Sequence, residues 1–166
     1  MKEIFERRSI RKYKNQEVEA EKIKKLLEAA VAAPSAGNEQ PWHFIVIKDK
    51  KRLNQLAEIH PYAKMLKEAP LAIAVCADLN KQKYDGFWVQ DCSAATQNIL
   101  LEAVSLDLGA VWIGCHPAED REKAISEYLE APENVKTLSL ISVGYPAEEK
   151  GKVDRLSDEI IHQEKW

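Results

Sequence analysis

Apolar and polar positions alternate along the chain in a way that divides it into elements. Between residues 19 and 32, apolar side chains recur at 23, 26, 27, 30 and 31, the spacing of one helix face. A loop, Pro34 to Trp42, follows, and then the apolar run Phe44-Ile45-Val46-Ile47 of strand length. Asp49 to Ile59 reads as a helix with Asp49 near its N-cap and Leu53, Leu56 and Ala57 inward. His60-Pro61 interrupts it, and Tyr62 to Glu68 reads as a second short helix ended by Pro70. Leu71 to Ala77 is continuously apolar, which predicts a central strand covered on both faces. Asp78 to Gly86 is a polar loop, and Phe87 to Leu106 is the longest helical pattern, with Gln97 and Asn98 in need of partners if buried. Gly109 to Gly114 and Thr137 to Val143 read as strands on either side of a helix from Ala118 to Leu129. Residues 2–8 fit one or two helical turns. The tail from Ala147 to Trp166 begins polar and ends with Ile160, Ile161 and Trp166, so it needs a surface to dock on, a partner subunit being one candidate. Four strands alternating with five or six helices make one mixed α/β domain.

A chain of 166 residues is long enough for one domain with a sizeable core. Its net charge of −3 argues against a general nucleic-acid binder. No apolar stretch approaches the roughly 20 residues of a membrane span, and Met1 to Glu6 has no apolar signal core, so the default location is cytoplasmic. Cys76, Cys92 and Cys115 form neither a metal pair nor a disulfide frame and read as buried thiols, although Cys115 precedes His116 beside a turn and could line a pocket. His43, His60, His116 and His162 lack metal-ligand spacing. Dinucleotide-fold, P-loop, zincin and nucleophile-elbow motifs are absent, so hydrolytic and zinc chemistry lose ground.

Two stretches carry candidate chemistry. In Pro34-Ser35-Ala36-Gly37-Asn38-Glu39-Gln40-Pro41-Trp42, small and amide side chains sit beside an indole, which suits a planar, amide-rich ligand; the plainer reading is a polar connecting loop. In Arg7-Arg8-Ser9-Ile10-Arg11-Lys12-Tyr13-Lys14, an extended backbone puts Arg7, Ser9 and Arg11 on one face and Arg8 and Ile10 on the other. Two guanidinium forks and a hydroxyl can seat a phosphate; the plainer reading is a solvated basic stretch.

These two stretches, the helix Ala94 to Leu101 with Gly109 to Gly114, and Gly144-Tyr145-Pro146 followed by Arg155 stand in the order found in one family. The chain resembles the FMN-dependent nitroreductases over nearly its whole length. The resemblance implies a single flavin-binding domain over residues 1–166 with an α+β, nitroreductase-like fold: a mixed, mainly antiparallel central sheet flanked by helices, in an intertwined homodimer with FMN at the subunit interface. It assigns the phosphate to Arg7, Arg8, Ser9, Arg11 and Arg155. It brings Pro34, Ser35, Ala36, Asn38 and Gln40 from the other subunit toward the flavin ring. It places Ile113, Gly114 and Cys115 at the reactive edge and Lys64 near the flavin carbonyl edge. The implied activity is ping-pong electron transfer from NADH or NADPH to a nitroaromatic, quinone or similar small-molecule acceptor. A flavin-binding redox sensor or store without significant turnover shares the same motifs, and a purely structural interaction domain would leave Arg7, Arg11 and Arg155 as surface charge. The chain lacks the long insertion that often shapes the substrate pocket, and Asp107 stands where a turn glycine is usual.

Overall fold

A computed structural model describes residues 2–166. Four strands, β1 (Trp42–Ile47), β2 (Leu71–Asp78), β3 (Gly109–Gly114) and β4 (Val135–Gly144), form one sheet in the order β1-β2-β4-β3. Every adjacent pair is antiparallel. The N-terminal segment extends the β3 edge through a parallel bridge between Ser9 and Ala110 and turns back through a bridge between Tyr13 and Pro146. The fold is therefore α+β, with a mixed but mainly antiparallel sheet.

The sheet separates two apolar layers, and β2 serves both. Its Leu71, Ile73, Val75 and Ala77 pack with α2 (Ala20–Val31) and α4 (Trp88–Ser105). Its Ala72, Ala74 and Cys76 pack with α3 (Lys50–Ile59) and α5 (Glu119–Tyr128). That double duty is why Leu71 to Ala77 shows no polar alternation, although the strand is antiparallel. Each fully buried Leu or Ile, such as Leu26, Leu53, Ile73, Ile99 and Leu140, contributes about 1.5–3 kcal/mol.

The remaining elements follow from local chemistry. α1 (Glu3–Glu6) is one turn. Asp49 caps α3 by accepting from the Arg52 N–H at 2.8 Å. Between Pro61 and Pro70 the expected short helix is a single 3-10 turn, Lys64–Lys67; few residues remain between the prolines to offset nucleation of a longer one. Asn98 donates to the Ala29 carbonyl at 3.0 Å, which joins α4 to α2. Gly109 is required where the Ser9–Ile10 segment crosses β3: a Cβ there would lie 2.7 Å from the Ile10 side chain.

The C-terminal tail runs along the surface. Arg8 Nε donates to the Gly151 carbonyl at 2.7 Å, and the Ala147 N–H donates to the Lys12 carbonyl. Beyond that point Val153, Leu156, Ile160, Ile161 and Trp166 are all exposed, Trp166 completely. The expected docking surface is not provided by this protomer.

Candidate functional site

The site is built on the β3 edge of the sheet. Ile10 donates its N–H to the Ala110 carbonyl at 3.1 Å, and the buried Tyr13 hydroxyl bonds the Ile10 carbonyl at 2.7 Å and the Ser142 hydroxyl at 2.6 Å. These bonds hold residues 9–13 in one path against β3 and β4, so the basic stretch is ordered. Its side chains do not divide as simple alternation predicts. Arg8 turns back to donate to the Phe5 and Arg7 carbonyls, and Arg7, Arg8 and Ser9 line one shallow cavity of about 410 Å³ with Lys150 and Arg155. Burial, and then the neighbouring Arg155 and Arg8, push the Arg7 guanidinium below its ordinary pKa. Like charges crowded at a half-buried hydroxyl form a donor set suited to a phosphate dianion, which would relieve their repulsion.

Arg11 lines a second cavity, of about 850 Å³, with Lys64, Ile113 and Gly114. His60, Tyr62, Trp112, His116 and Arg121 also line it. Only Ile10 separates Ser9 from Arg11, so the two cavities are within about 7 Å of chain of one another. Their size and their mix of flat apolar surface and cationic groups suit a planar ligand with a charged tail.

The loop from Pro34 to Trp42 lies at the opposite edge. Trp42, Ala77, Lys136 and Gly114 mark the same end of the sheet, but β1 and β3 are three strand spacings apart, on the order of 14 Å. The loop is held in an unusual shape: Gly37, Asn38 and Gln40 all have positive φ. Ser35 Oγ accepts from the Gln40 N–H at 3.0 Å, and the Asn38 amide oxygen accepts from Gln40 Nε2 at 2.9 Å. Asp91, buried in the first turn of α4, accepts from the Ala36 N–H at 2.9 Å. Glu39 accepts from the N–H groups of Lys83 and Tyr84, which fastens the 78–86 loop beneath it. Clustered positive φ held by such contacts is strain of the kind found at ligand clamps. Thus the structure gathers Arg7, Arg8, Ser9 and Arg155 in one place and Arg11, Lys64, Ile113 and Gly114 beside it. Within one protomer it keeps Pro34, Ser35, Ala36, Asn38 and Gln40 apart from both.

Three residues outside that set shape the second cavity. His60 is buried; its Nδ1 accepts from the Tyr62 N–H at 3.2 Å, which leaves the proton on Nε2 to donate to the Gly114 carbonyl at 3.0 Å. A histidine that reads as ordinary structure in the sequence therefore fixes the turn at the end of β3. His116 Nδ1 meets Glu122 Oε2 at 2.7 Å, Glu122 Oε1 meets Lys136 Nζ at 3.1 Å, and Trp88 packs edge-on to the His116 ring. Arg121 lies over the Tyr62 ring at 5.1 Å. No periodicity in α5 marks Arg121 or Glu122, because their roles depend on β3 and the 60–62 turn. Cys115 is fully buried, and burial raises its thiol to about 12, so it is no nucleophile and does not line the cavity.

Comparison with known proteins agrees with this architecture. The nitroreductase family profile matches residues 4–64 and 58–145. A Methanothermobacter thermautotrophicus protein, assigned as a candidate NADH dehydrogenase/NAD(P)H nitroreductase, is 53% identical over 98% of this chain and 85% of its own length. An FMN-dependent nitroreductase from Clostridium difficile superposes with a TM-score of 0.91 at 37% identity, covering 99% of this chain and 98% of that one. A nitroreductase-type protein from Desulfovibrio desulfuricans, solved in complex with FMN, superposes with a TM-score of 0.87 at 32% identity over 99% of this chain and 96% of its own. A four-stranded antiparallel sheet between two helical layers, its β3 edge lined by ordered arginines, and these matches along nearly all of the sequence together place the chain in the nitroreductase family.

Proposed function

We propose that the protein is an FMN-dependent NAD(P)H oxidoreductase of the nitroreductase type, acting as a homodimer on a nitroaromatic, quinone or similar acceptor by a ping-pong sequence. The observation that carries this reading is the pair of adjoining cavities on the β3 edge, one lined by Arg7, Arg8, Ser9 and Arg155 and the other by Arg11, Lys64, Ile113 and Gly114. Arg7, Ser9 and Arg155 would hold the phosphate of FMN, with Arg11 at the junction. Lys64 and the Ile113–Gly114 backbone would face its ring. Bound FMN would supply reversible two-electron chemistry between NADH or NADPH and the acceptor. The protein's part is placement: His60 keeps the Gly114 carbonyl fixed, and cations near the ring favour negative charge developing there.

Dimerisation accounts for two features that a lone protomer leaves unexplained. The strained loop at Pro34 to Gln40 lies too far from its own β3 edge to reach it, so a ring seated there would meet the loop of a second copy. The tail carries five exposed apolar side chains that a second copy would cover. No helix among the described residues is long and apolar enough to cross a membrane.

The test is a flavin titration. Purified protein is expected to be yellow, or to bind added FMN with a shifted absorbance band, and to oxidise NADH or NADPH when a nitroaromatic or quinone is present. Arg7→Glu should weaken FMN binding by at least about tenfold, since it sets a carboxylate against phosphate. Protein that gains no flavin absorbance would refute the reading. Flavin that binds but is not bleached by either nicotinamide at a useful rate would leave a redox store or sensor in its place.

A further inference from the structure

The cavity beside Gly114 contains one cation that the cofactor does not need. Arg11, Lys64 and Arg121 line it together with His60 and His116, and no carboxylate side chain does. Arg11 and Lys64 have places in the flavin scheme; Arg121 has none. It sits in the first turn of α5, at the positive end of the helix dipole, where a cation is disfavoured. Its three acidic neighbours in that turn do not compensate it. Glu119 and Glu122 line a separate cavity of about 770 Å³ beyond His116 and Trp88, and Glu122 is already engaged by His116 and Lys136. Among the described residues Arg121 makes no ion pair, and its Nε is buried without a hydrogen-bond partner. The guanidinium is instead fixed over the Tyr62 ring, with the indole of Trp112 on the same cavity wall. A half-buried guanidinium with no ion-pair partner, held over the Tyr62 ring with Trp112 on the same cavity wall, is arranged to receive an anion borne by a planar molecule.

The geometry points to Arg121 as a specificity-determining residue that recognises an anionic group, a carboxylate or a phosphate, on the planar redox partner that enters this cavity. The inference rests on the flavoenzyme reading above. That shared chemistry has two sources, the anionic substituent of an aromatic acceptor or the diphosphate of the nicotinamide donor, and the two half-reactions separate them.

The experiment compares wild type with Arg121→Met and Arg121→Lys. FMN affinity is measured first, by absorbance titration. Equilibrium binding of 4-nitrobenzoate and its neutral isostere 4-nitrobenzamide to the flavin-loaded protein, without nicotinamide, is then measured by calorimetry. Steady-state kcat/KM for the same two acceptors and the NADH dependence of anaerobic flavin reduction complete the set. With FMN affinity retained, Arg121→Met should lower the nitrobenzoate-to-nitrobenzamide ratio, in binding and in kcat/KM, by roughly ten- to hundredfold, as loss of a charged hydrogen-bonded pair does. Arg121→Lys should restore part of it. That result assigns the acceptor as the source. A tenfold or larger rise in the NADH concentration for half-maximal reduction, with the acceptor ratio unchanged, assigns the donor's diphosphate and also supports an anion site at Arg121. Unchanged acceptor ratio and unchanged NADH dependence overturn the inference. So does loss of FMN binding in Arg121→Met, which would make Arg121 part of the cofactor seat. Failure of the wild type to bind FMN at all would instead refute the flavoenzyme reading.

Discussion

At the scale of the residue, burial decides which groups are chemically available. Cys92 and Cys115 are fully buried, and desolvation raises both thiols to about 12. An ordinary thiol titrates near 8.5. Below that pH both folded and unfolded chains keep these protons. Above it the unfolded chain releases them while the folded chain retains them, so stability falls as pH rises from about 8.5 toward 12. The urea midpoint should therefore drop between pH 8 and pH 10.5, and drop less in a Cys92→Ala, Cys115→Ala double variant; equal slopes would show that the thiols contribute nothing. The sequence identifies these cysteines as buried but cannot choose between burial and a pocket wall for Cys115, because that depends on which way the chain turns after Gly114.

The elements show where local chemistry is complete and where it is strained. α4 and α5 both end in the same pattern of backbone bonds. The Leu108 N–H donates to the Ala103 carbonyl and the Asp107 N–H to the Val104 carbonyl; the Ala131 N–H donates to the Ser126 carbonyl and the Glu130 N–H to the Glu127 carbonyl. This is the Schellman closure, and it requires a left-handed residue at its hinge. Here the hinges are Asp107 and Glu130, with φ of 59° and 57°. Neither is glycine, so each carries steric strain that glycine would remove. Asp107→Gly and Glu130→Gly should each raise stability by about 0.5–1 kcal/mol, read as an upward shift in the urea midpoint at constant m-value. Helix and strand positions follow from apolar spacing to within a few residues, including the bounds of β3. The short helix expected over Tyr62 to Glu68 shrank to a 3-10 turn, since flanking prolines limit it in a way that spacing alone does not register.

The whole molecule raises the question of the second copy. The tail beyond Gly151 meets little of its own protomer, and its apolar side chains face solvent. Chains truncated after Gly151 should elute as monomers in size-exclusion chromatography with light scattering, whereas the intact chain should elute as a dimer. The truncated chain should also lose FMN affinity, because Arg155 goes with the tail. A monomeric intact chain, or a truncated chain that is still dimeric, would remove the tail from the dimer interface. The same scale explains the split site. The bridge between Ser9 and Ala110 lays the arginine segment along β3, but Asn38 lies across the sheet at β1.

The sequence by itself determined the elements, the covered central strand and the family, since apolar spacing, turn residues and ordered motifs are properties of the chain read in one dimension. Only the tertiary structure decided that Arg8 would reach the Gly151 carbonyl, that His60 would hold the Gly114 carbonyl, and that Arg121 would stand uncompensated over Tyr62. Each of these depends on residues far apart in the chain meeting at one edge of the sheet. Their hydrogen bonds and contacts are set by what surrounds them in space, and no local pattern encodes that.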